Sequence, residues 1–395
     1  MMTQNRKNIE LLYKELAKPV KEQLDRAIDA IIGAKKKGGK VVVVTGSGPN
    51  LHEGVTTLIA ELIHKGIIDG VTTSSAVIAH EMAGVLDEVK RVDGKKLGFS
   101  GDLLPCGDVF EITIMTDDLT GEISKEMQLD TDLMKRALDE EGDIIIKAAG
   151  NMAYPMGLRT ELLAKEILDH AKEKGLPFEQ IAGRGADPKT MLGAGFQCNI
   201  PMLVTVPQLV GGGVVGMAIG DSISISERSE RIARMLSDAD VIIESAVALT
   251  QEIHDGPFET HTGHGIWSNW EGTPTFRLDG KTLIRIDLDP NLKKAWDFEK
   301  GSSTVQQAID KGMPKTKLMS IPFRMEMSGF ARLEKSIPVV GDIGMIWPII
   351  ASFVGQKLGI GLDFISYPQQ SPEGRAMRNW IVENIQPIKK ERLYR

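Results

Sequence analysis

The chain has 395 residues, of which 42% are apolar and 26% are charged, proportions typical of a soluble globular protein. Its formal net charge is −7, and its lysines and arginines are scattered along the sequence, which argues against a surface for nucleic acid. Its two cysteines, Cys106 and Cys198, exclude a disulfide framework and a four-cysteine zinc site.

The sequence has no pattern typical of a secreted or membrane protein. Its first residues are polar and charged, unlike a signal peptide. The most apolar segment, residues 337–362, is interrupted by prolines, by Asp342 and by Lys357, so it does not predict a membrane span. We therefore predict a cytoplasmic protein that binds neither membranes nor nucleic acid.

The first elements in chain order are a helix and a buried strand. Residues 8–33 carry an apolar stripe at helical spacing, and Pro19 is expected to kink this helix or split it in two. Four valines, Val41–Val44, predict a strand buried on both faces. The turn Gly46–Asn50 leads into a helix around residues 55–63.

A second strand, from about residue 67 to 73, is followed by a helix that carries His80 and Glu81. Together with the first strand and helix, it forms a strand–helix–strand unit whose two loops open at the same end of a parallel sheet. Ligands bind such sheets beyond the carboxyl ends of the strands. Residues 39–84 are therefore the predicted centre of the binding site.

Strands and helices continue to alternate along the rest of the chain. Further strands are predicted at residues 109–115, 201–206, 241–244, 282–287, 337–340 and 362–366, and further helices at residues 130–138, 158–174, 187–198, 226–236, 247–253, 305–311, 343–358 and 375–385. Residues 85–108 look irregular, residues 143–149 fit a strand or a helix, and residues 183–185 fit a turn. The alternation predicts an α/β fold with one doubly wound parallel sheet and helices on both faces. We divide it into an N-terminal helical segment (1–39), a nucleotide-binding domain (40–370) and a C-terminal helix and tail (371–395).

The turn Gly46–Asn50, which includes Ser47, lies between a strand and a helix, where free backbone N–H groups can hold a phosphate. It is not a G-x-G-x-x-G motif, because Leu51 stands where the third glycine belongs. It is not a P-loop either, because no lysine follows Gly54. An ordinary tight turn explains this glycine pattern equally well.

Hydroxyl side chains follow the neighbouring strand, in Thr72-Thr73-Ser74-Ser75. Hydroxyls in this position often cap a helix, but two such loops side by side favour a nucleotide site. Asp287 ends a later strand, where a carboxylate can bind ribose hydroxyls. An Asx turn before Pro290 accounts for Asp287 equally well.

Four blocks of the chain resemble deoxyhypusine synthase and its NAD-binding relatives. They are Asn50 and Gly54 followed by Ile68-Asp69-x-x-Thr72-Thr73; Asn199-Ile200-Pro201 before a strand and a glycine-rich loop; the helix, strand and turn from Ile232 to Val247; and Val340-Gly341-Asp342 followed by Pro348-Ile349-Ile350. The run from Ile286 to Pro290 is similar to archaeal NAD-dependent ornithine cyclodeaminases. The resemblance covers roughly residues 40–360.

This resemblance implies an NAD-binding parallel-sheet fold and a homotetramer or homodimer with cofactor sites near the subunit interfaces. By position, it implies that NAD is lined by Asn50, Thr72, Thr73, Ser74, Ser75, Asp221, Ser245, Ala246, Asp342 and Ile343. The family's Trp-Gly-Lys segment, whose lysine forms an imine with the aminobutyl group, has no counterpart here. Lys335 is the only lysine near Met327-Ser328-Gly329, which resembles the preceding Ser-Gly element. Deoxyhypusine synthesis itself is therefore disfavoured.

The segment from His254 to His264 is the densest group of ionisable side chains in the sequence. One interpretation is a polar surface loop. A second is a loop over the cofactor that binds substrate or transfers protons, with His254 or His264 as the base. A third is a metal site formed by His254, His261, His264 and Glu259.

The leading functional prediction is an enzyme that uses NAD to oxidise the C–N bond of a small amine or amino acid. Hydride transfer from the carbon that bears nitrogen would give an imine, which is then attacked, cyclised or hydrolysed. Glu81 or Glu259 would bind the substrate ammonium group. The alternatives are a metal-dependent hydrolase or lyase that uses the histidine segment, and a nucleotide-binding regulatory protein without catalysis.

Overall fold

A computed structural model describes residues 2–46, 48–206, 212–246, 280–288 and 335–394, together with residues 276, 290, 307 and 311–312. Its strands are β1 (Val41–Thr45), β2 (Gly70–Ser74), β3 (Leu86–Asp93), β4 (Val109–Thr113), β5 (Gly142–Ala148), β6 (Met202–Val206), β7 (Val241–Ser245), β8 (Thr282–Asp287) and β9 (Ser336–Val340).

The helices of the described residues are numbered in the same way. They are α1 (Met2–Glu15), α2 (Lys18–Lys36), α3 (Gly48–His52), α4 (Val55–His64), α5 (Ser75–Ala83), α6 (Asp117–Glu126), α7 (Thr131–Asp139), α8 (Met156–Lys174), α9 (Phe178–Gly185), α10 (Met191–Gln197), α11 (Gly213–Ser222), α12 (Ile225–Ser237), α13 (Ile343–Leu358) and α14 (Pro372–Asn384). Within the described ranges, no helix is both long enough and apolar enough to span a membrane.

The main sheet has six strands in the order β6–β2–β1–β7–β8–β9, and every neighbouring pair is parallel. The valines of β1 are fully buried because helices cover both faces of the sheet. Val41 and Val43 face the larger core, which includes residues of α2, α4 and α13, whereas Val42 and Val44 pack with residues of α12. The predicted α/β fold with a doubly wound parallel sheet is confirmed.

A second sheet of three antiparallel strands, in the order β4–β3–β5, is inserted between α5 and α8. This insertion is where the structure differs from the prediction of one sheet. Residues 86–93 were expected to be irregular but form β3, and the ambiguous residues 143–149 belong largely to β5. The insertion also contains α6 and α7.

Three smaller predictions have clear outcomes. The N-terminal helix is split near Pro19, because α1 ends at Glu15 and α2 begins at Lys18. The predicted strand at residues 362–366 is wrong, since that segment has no regular structure. The predicted turn at residues 183–185 is the last turn of α9. The division into segments 1–39, 40–370 and 371–395 stays a prediction.

Candidate functional site

The order of the parallel strands reverses at one point of the main sheet, and we call the carboxyl end of the strands at this point the crevice. From β1 the chain moves to one side for β2 and β6, and it then returns to the other side of β1 for β7, β8 and β9. This is the order of Rossmann-type folds, in which ligands bind at the carboxyl edge where the direction reverses. Here the reversal lies between β1 and β7, which pair from Val41–Val241 to Thr45–Ser245.

Two predicted NAD-binding side chains, Asn50 and Ser245, meet at this reversal. The Ser245 hydroxyl donates to Asn50 Oδ1 at 2.6 Å, and the Trp347 indole N–H donates to Ser245 Oγ at 2.8 Å. Asn50 Nδ2 in turn donates to the Gly46 carbonyl at 3.3 Å. All three side chains are fully buried. This network ties the turn after β1 to β7 and α13, so it fixes the shape of the crevice floor.

The hydroxyl residues Thr72–Ser75, which end β2 and begin α5, also lie at this edge, next to β1, because β1 and β2 are paired neighbours. Thr72 contacts Thr205 of β6 through the two hydroxyls, and Ser74 Oγ caps α5 by accepting the Val77 N–H at 3.4 Å. Two other buried hydroxyls, Thr45 Oγ1 and Thr73 Oγ1, have no hydrogen-bond partner among the described residues.

The remaining predicted cofactor residues lie at the ends of β7 and β8 and in α11 and α13, including the N-cap of α13. Asp342 caps α13, accepting the Gly344 N–H at 2.7 Å, and Ile343 is the first residue of that helix. Asp287 is the last residue of β8, and Ala246 follows β7 with a φ of 63°. Asp221 is exposed in the last turn of α11.

A charged group next to the crevice was largely missed by the sequence prediction. We define the edge cluster as His52, His80, Asp87, Lys147 and Arg378. It forms because β5 of the antiparallel sheet packs against α3, which follows the turn after β1. Lys147 acts electrostatically on both histidines and on Asp87, and Arg378 of α14 acts on His52.

Hydrogen bonds fix the tautomers of the two histidines. His80 Nδ1 lies 2.7 Å from the Ala149 carbonyl, so it carries the hydrogen and leaves Nε2 as an acceptor. His52 Nδ1 lies 3.5 Å from Arg378 Nη2, a donor, so His52 carries its hydrogen on Nε2. Burial lowers the pKa of both imidazoles, so both are neutral at physiological pH.

Asp87 supplies the carboxyl group of the edge cluster, and its pKa is strongly shifted. Burial raises its pKa to about 7, although the Gly150 N–H donates to Oδ2 at 2.8 Å and Lys147 is nearby. A carboxyl group that titrates near neutral pH can both accept and release a proton during turnover. The edge cluster therefore combines a proton acceptor with neutral imidazoles and two basic side chains, of which Lys147 also pairs with Glu111 of β4.

A second buried carboxylate, Glu53, lies between the turn after β1 and the start of α13. It accepts the Gln369 N–H at 2.7 Å, and its carboxylate lies so close to Gly344 that any side chain at that position would collide with it. Burial raises the pKa of Glu53, and the nearby Asp342 raises it further. Glu53 thus helps to join α13 to the crevice.

Two predicted catalytic residues lie away from the crevice. Glu81 is fully buried and accepts the N–H groups of Met191 and Leu192, each at 2.9 Å, so it anchors the start of α10. Lys335 lies at the opposite, amino end of β9, where Nζ donates to the Gly280 carbonyl at 3.3 Å. We therefore leave both residues out of the site proposed below.

Several predictions fall on residues that the structure does not describe. They are those for Ser47, His254, Glu259, His261 and His264, and also for the helices at residues 247–253 and most of 305–311. Within the described part of the chain, no three His, Cys, Asp or Glu side chains are grouped as a metal would require. The metal-site alternative thus concerns only the undescribed histidine segment.

Three features of this edge of the sheet decide whether its residues fit NAD. A Cβ at Gly48 would meet no atom within 4 Å, so this turn leaves open space beside its backbone. The buried hydroxyls of Thr45 and Thr73 lack partners among the described residues. The strand order places these groups on adjacent strands at the reversal. The described residues fit a dinucleotide at this edge.

Comparisons with known proteins place this chain in no established family. No family model matches it, and no curated protein matches its sequence. A conserved LOR/SDH protein from Methanococcus maripaludis S2 is 14% identical with a TM-score of 0.38, covering 88% of this chain and 70% of that one.

Two longer proteins are also similar in structure. ArgZ, an arginine dihydrolase from the ornithine–ammonia cycle in cyanobacteria, is 11% identical with a TM-score of 0.41, covering 85% of this chain and 33% of ArgZ. AgrE in a ternary complex with ornithine and NAD+ is 13% identical with a TM-score of 0.43, covering 87% and 34%. The chain thus spans about a third of the length of these two proteins.

Proposed function

We propose that this protein is an NAD-dependent enzyme that oxidises the C–N bond of a small amine or amino acid. One observation supports the proposal: the glycines after β1, the Thr45 and Thr73 hydroxyls without partners among the described residues, and the edge cluster around α3 all adjoin the reversal of the sheet. The kinship with deoxyhypusine synthase, the homo-oligomer and the cytoplasmic location remain predictions.

In this proposal residues 46–50, which lead from β1 into the first turn of α3, and the strand ends of β1, β2 and β7 hold the dinucleotide. Bound NAD supplies the hydride acceptor. The network of Asn50, Ser245 and Trp347 keeps the crevice floor rigid, so that less order must be created on binding.

In this proposal the edge cluster binds the substrate and accepts its proton. An amine reacts only after its ammonium group has lost a proton, and the Asp87 carboxylate is the acceptor whose pKa matches neutral pH. His80 Nε2 is a second acceptor for the same proton. Arg378 Nε has no hydrogen-bond partner among the described residues, and it can bind the carboxylate of an amino acid.

Cofactor binding is tested with a charge placed in the turn. A Cβ at Gly48 has free space, so Gly48→Glu should fold but repel a pyrophosphate. We expect calorimetry to show NAD binding to the native protein and binding at least about tenfold weaker in Gly48→Glu. Gly33→Glu on α2 is the matched control, because a Cβ at Gly33 also meets nothing within 4 Å. No binding by the native protein would contradict the proposal.

Catalysis is tested by incubating the protein with NAD and a panel of amines and amino acids. We expect absorbance from reduced nicotinamide with at least one substrate, and a loss of about 100-fold or more in Asp87→Asn. NAD binding should survive in this variant. If the native protein binds NAD but reduces none with the whole panel, the regulatory alternative replaces the enzyme.

A further inference from the structure

A second cleft lies away from the crevice, under the C-terminal tail. Its volume is about 480 Å³, and its walls come from α6, from Arg159 of α8 and from residues 386–394. The tail wall is fixed, since the Ile388 N–H donates to the Met82 carbonyl at 2.9 Å and the Lys389 N–H to the Gly185 carbonyl at 3.0 Å. The cleft is large enough for a small metabolite.

Arg159, which lines this cleft, has one guanidinium nitrogen without a hydrogen-bond partner among the described residues. Its guanidinium donates to both oxygens of Glu126, at 2.7 and 2.9 Å, and to the Ile388 carbonyl at 2.7 Å. The side chain is only 4% exposed, and its Nη1 has no hydrogen-bond partner among the described residues. Buried guanidinium nitrogens are normally satisfied, so this atom points to a missing acceptor.

The charges and apolar groups around Arg159 indicate the chemical class of the ligand that would supply this acceptor. Glu126 already neutralises Arg159, and Lys389, 4.0 Å from Glu122 at its nearest approach, supplies a further positive charge at the mouth. Leu119 and Ile123 provide an apolar wall. A carboxylate oxygen is a strong acceptor for a guanidinium N–H such as that of Nη1, and a short aliphatic chain matches the apolar wall.

We infer that this cleft is a binding site, separate from the crevice, for a small aliphatic molecule that binds through its carboxylate to Arg159 Nη1 and Lys389. Free carboxylic acids and amino acids share this chemistry. The carboxylates of Glu122 and Glu391 at the rim can also bind the ammonium group of an amino acid.

The test is calorimetric titration of the full-length protein with three probes: valerate, norvaline and inorganic phosphate. We expect saturable binding of valerate, of norvaline or of both. Tighter binding of norvaline identifies an amino-acid site, whereas equal binding identifies a general carboxylate site. Binding of phosphate alone, or of no probe, would overturn the inference.

Two variants locate the bound probe. Arg159→Lys keeps a charge for Glu126 but removes Nη1, and Lys389→Ala removes the charge at the mouth. We expect about tenfold weaker binding in Arg159→Lys and a smaller loss in Lys389→Ala. Lys96→Ala is the matched control, because Lys96 is an exposed lysine that pairs with a glutamate elsewhere, Glu140. If Arg159→Lys does not fold, Lys389→Ala decides alone, and unchanged binding there refutes the site.

Discussion

At the scale of single residues, Glu81 couples the stability of the fold to pH. Burial raises its pKa from the ordinary 4.5 to about 7, despite two N–H groups donated from the start of α10. Between these two values the unfolded chain is ionised while the folded protein keeps the proton. The contribution of Glu81 to stability is therefore full in acid and is lost as the pH rises through about 7.

This linkage predicts a difference between the native protein and Glu81→Gln, which cannot titrate. From about pH 5 to about pH 8, the free energy of unfolding of the native protein should fall by about 2.5 kcal/mol relative to the variant. Urea unfolding of both proteins at the two pH values measures this difference. Glu383→Gln, on the exposed surface of α14, is the control for replacing a carboxylate by a neutral amide. A constant difference would show that Glu81 keeps an ordinary pKa in the folded protein.

Individual residues also differ in whether their place in the site could be predicted from the sequence. Asn50 follows the buried strand β1 and Ser74 ends its neighbour β2, and parallel pairing brings such residues to one edge, so their neighbourhood was predictable. His52, Asp87 and Lys147 are distant in sequence and follow no motif. They meet only because the antiparallel sheet folds back on α3, a contact that no local pattern encodes.

At the scale of elements, the parallel strands were predictable because they are continuous apolar runs bounded by turns, such as Val41–Val44. Strand β3 was missed because Leu86, Val89 and Val92, its buried residues, are spaced three apart with charged residues between them. This spacing lacks the alternation of a half-buried strand. Its pairing with β4 and β5, rather than its own pattern, makes it a strand.

Arg228 joins four elements near the edge strand β6. Its guanidinium pairs with Glu179 of α9, donates to the Val204 carbonyl of β6 at 3.1 Å, and donates to the Ile219 carbonyl and Ser222 Oγ of α11 at 2.9 and 3.2 Å. Arg228 and Glu179 are 1% and 0% exposed. Removing one partner of such a pair leaves a buried charge without its counterion.

We therefore expect Arg228→Leu to lower the free energy of unfolding by about 3–5 kcal/mol. The double variant Arg228→Leu with Glu179→Leu should be more stable than Arg228→Leu alone, because it removes the isolated carboxylate as well. Chemical denaturation of the native protein, both single variants and the double variant measures the coupling. Additive losses in this cycle would show that the two side chains contribute independently.

At the scale of the whole molecule, the two sheets are joined by the C-terminal helix and tail. Arg378 of α14 donates to the Ile146 carbonyl of β5, and Arg159 links Glu126 of the insertion to the Ile388 carbonyl of the tail. The tail also buries Ile385, Ile388 and Leu393 against the larger core. The structure thus predicts that the insertion and the parallel sheet unfold together.

Ile388→Ala tests this cooperativity, because Ile388 is 1% exposed and its backbone bonds to residues of α5 and α8. The lost contacts should cost about 2–5 kcal/mol. If the molecule is one cooperative unit, native-state hydrogen exchange should show equal losses of protection for the amides of β1 and of β3. Ile144→Ala on β5 is the control, since Ile144 is 56% exposed and its truncation should cost less than about 0.5 kcal/mol. A loss confined to β3 would mean that the insertion unfolds independently of the parallel sheet. The edge cluster would then be disrupted whenever the insertion unfolds.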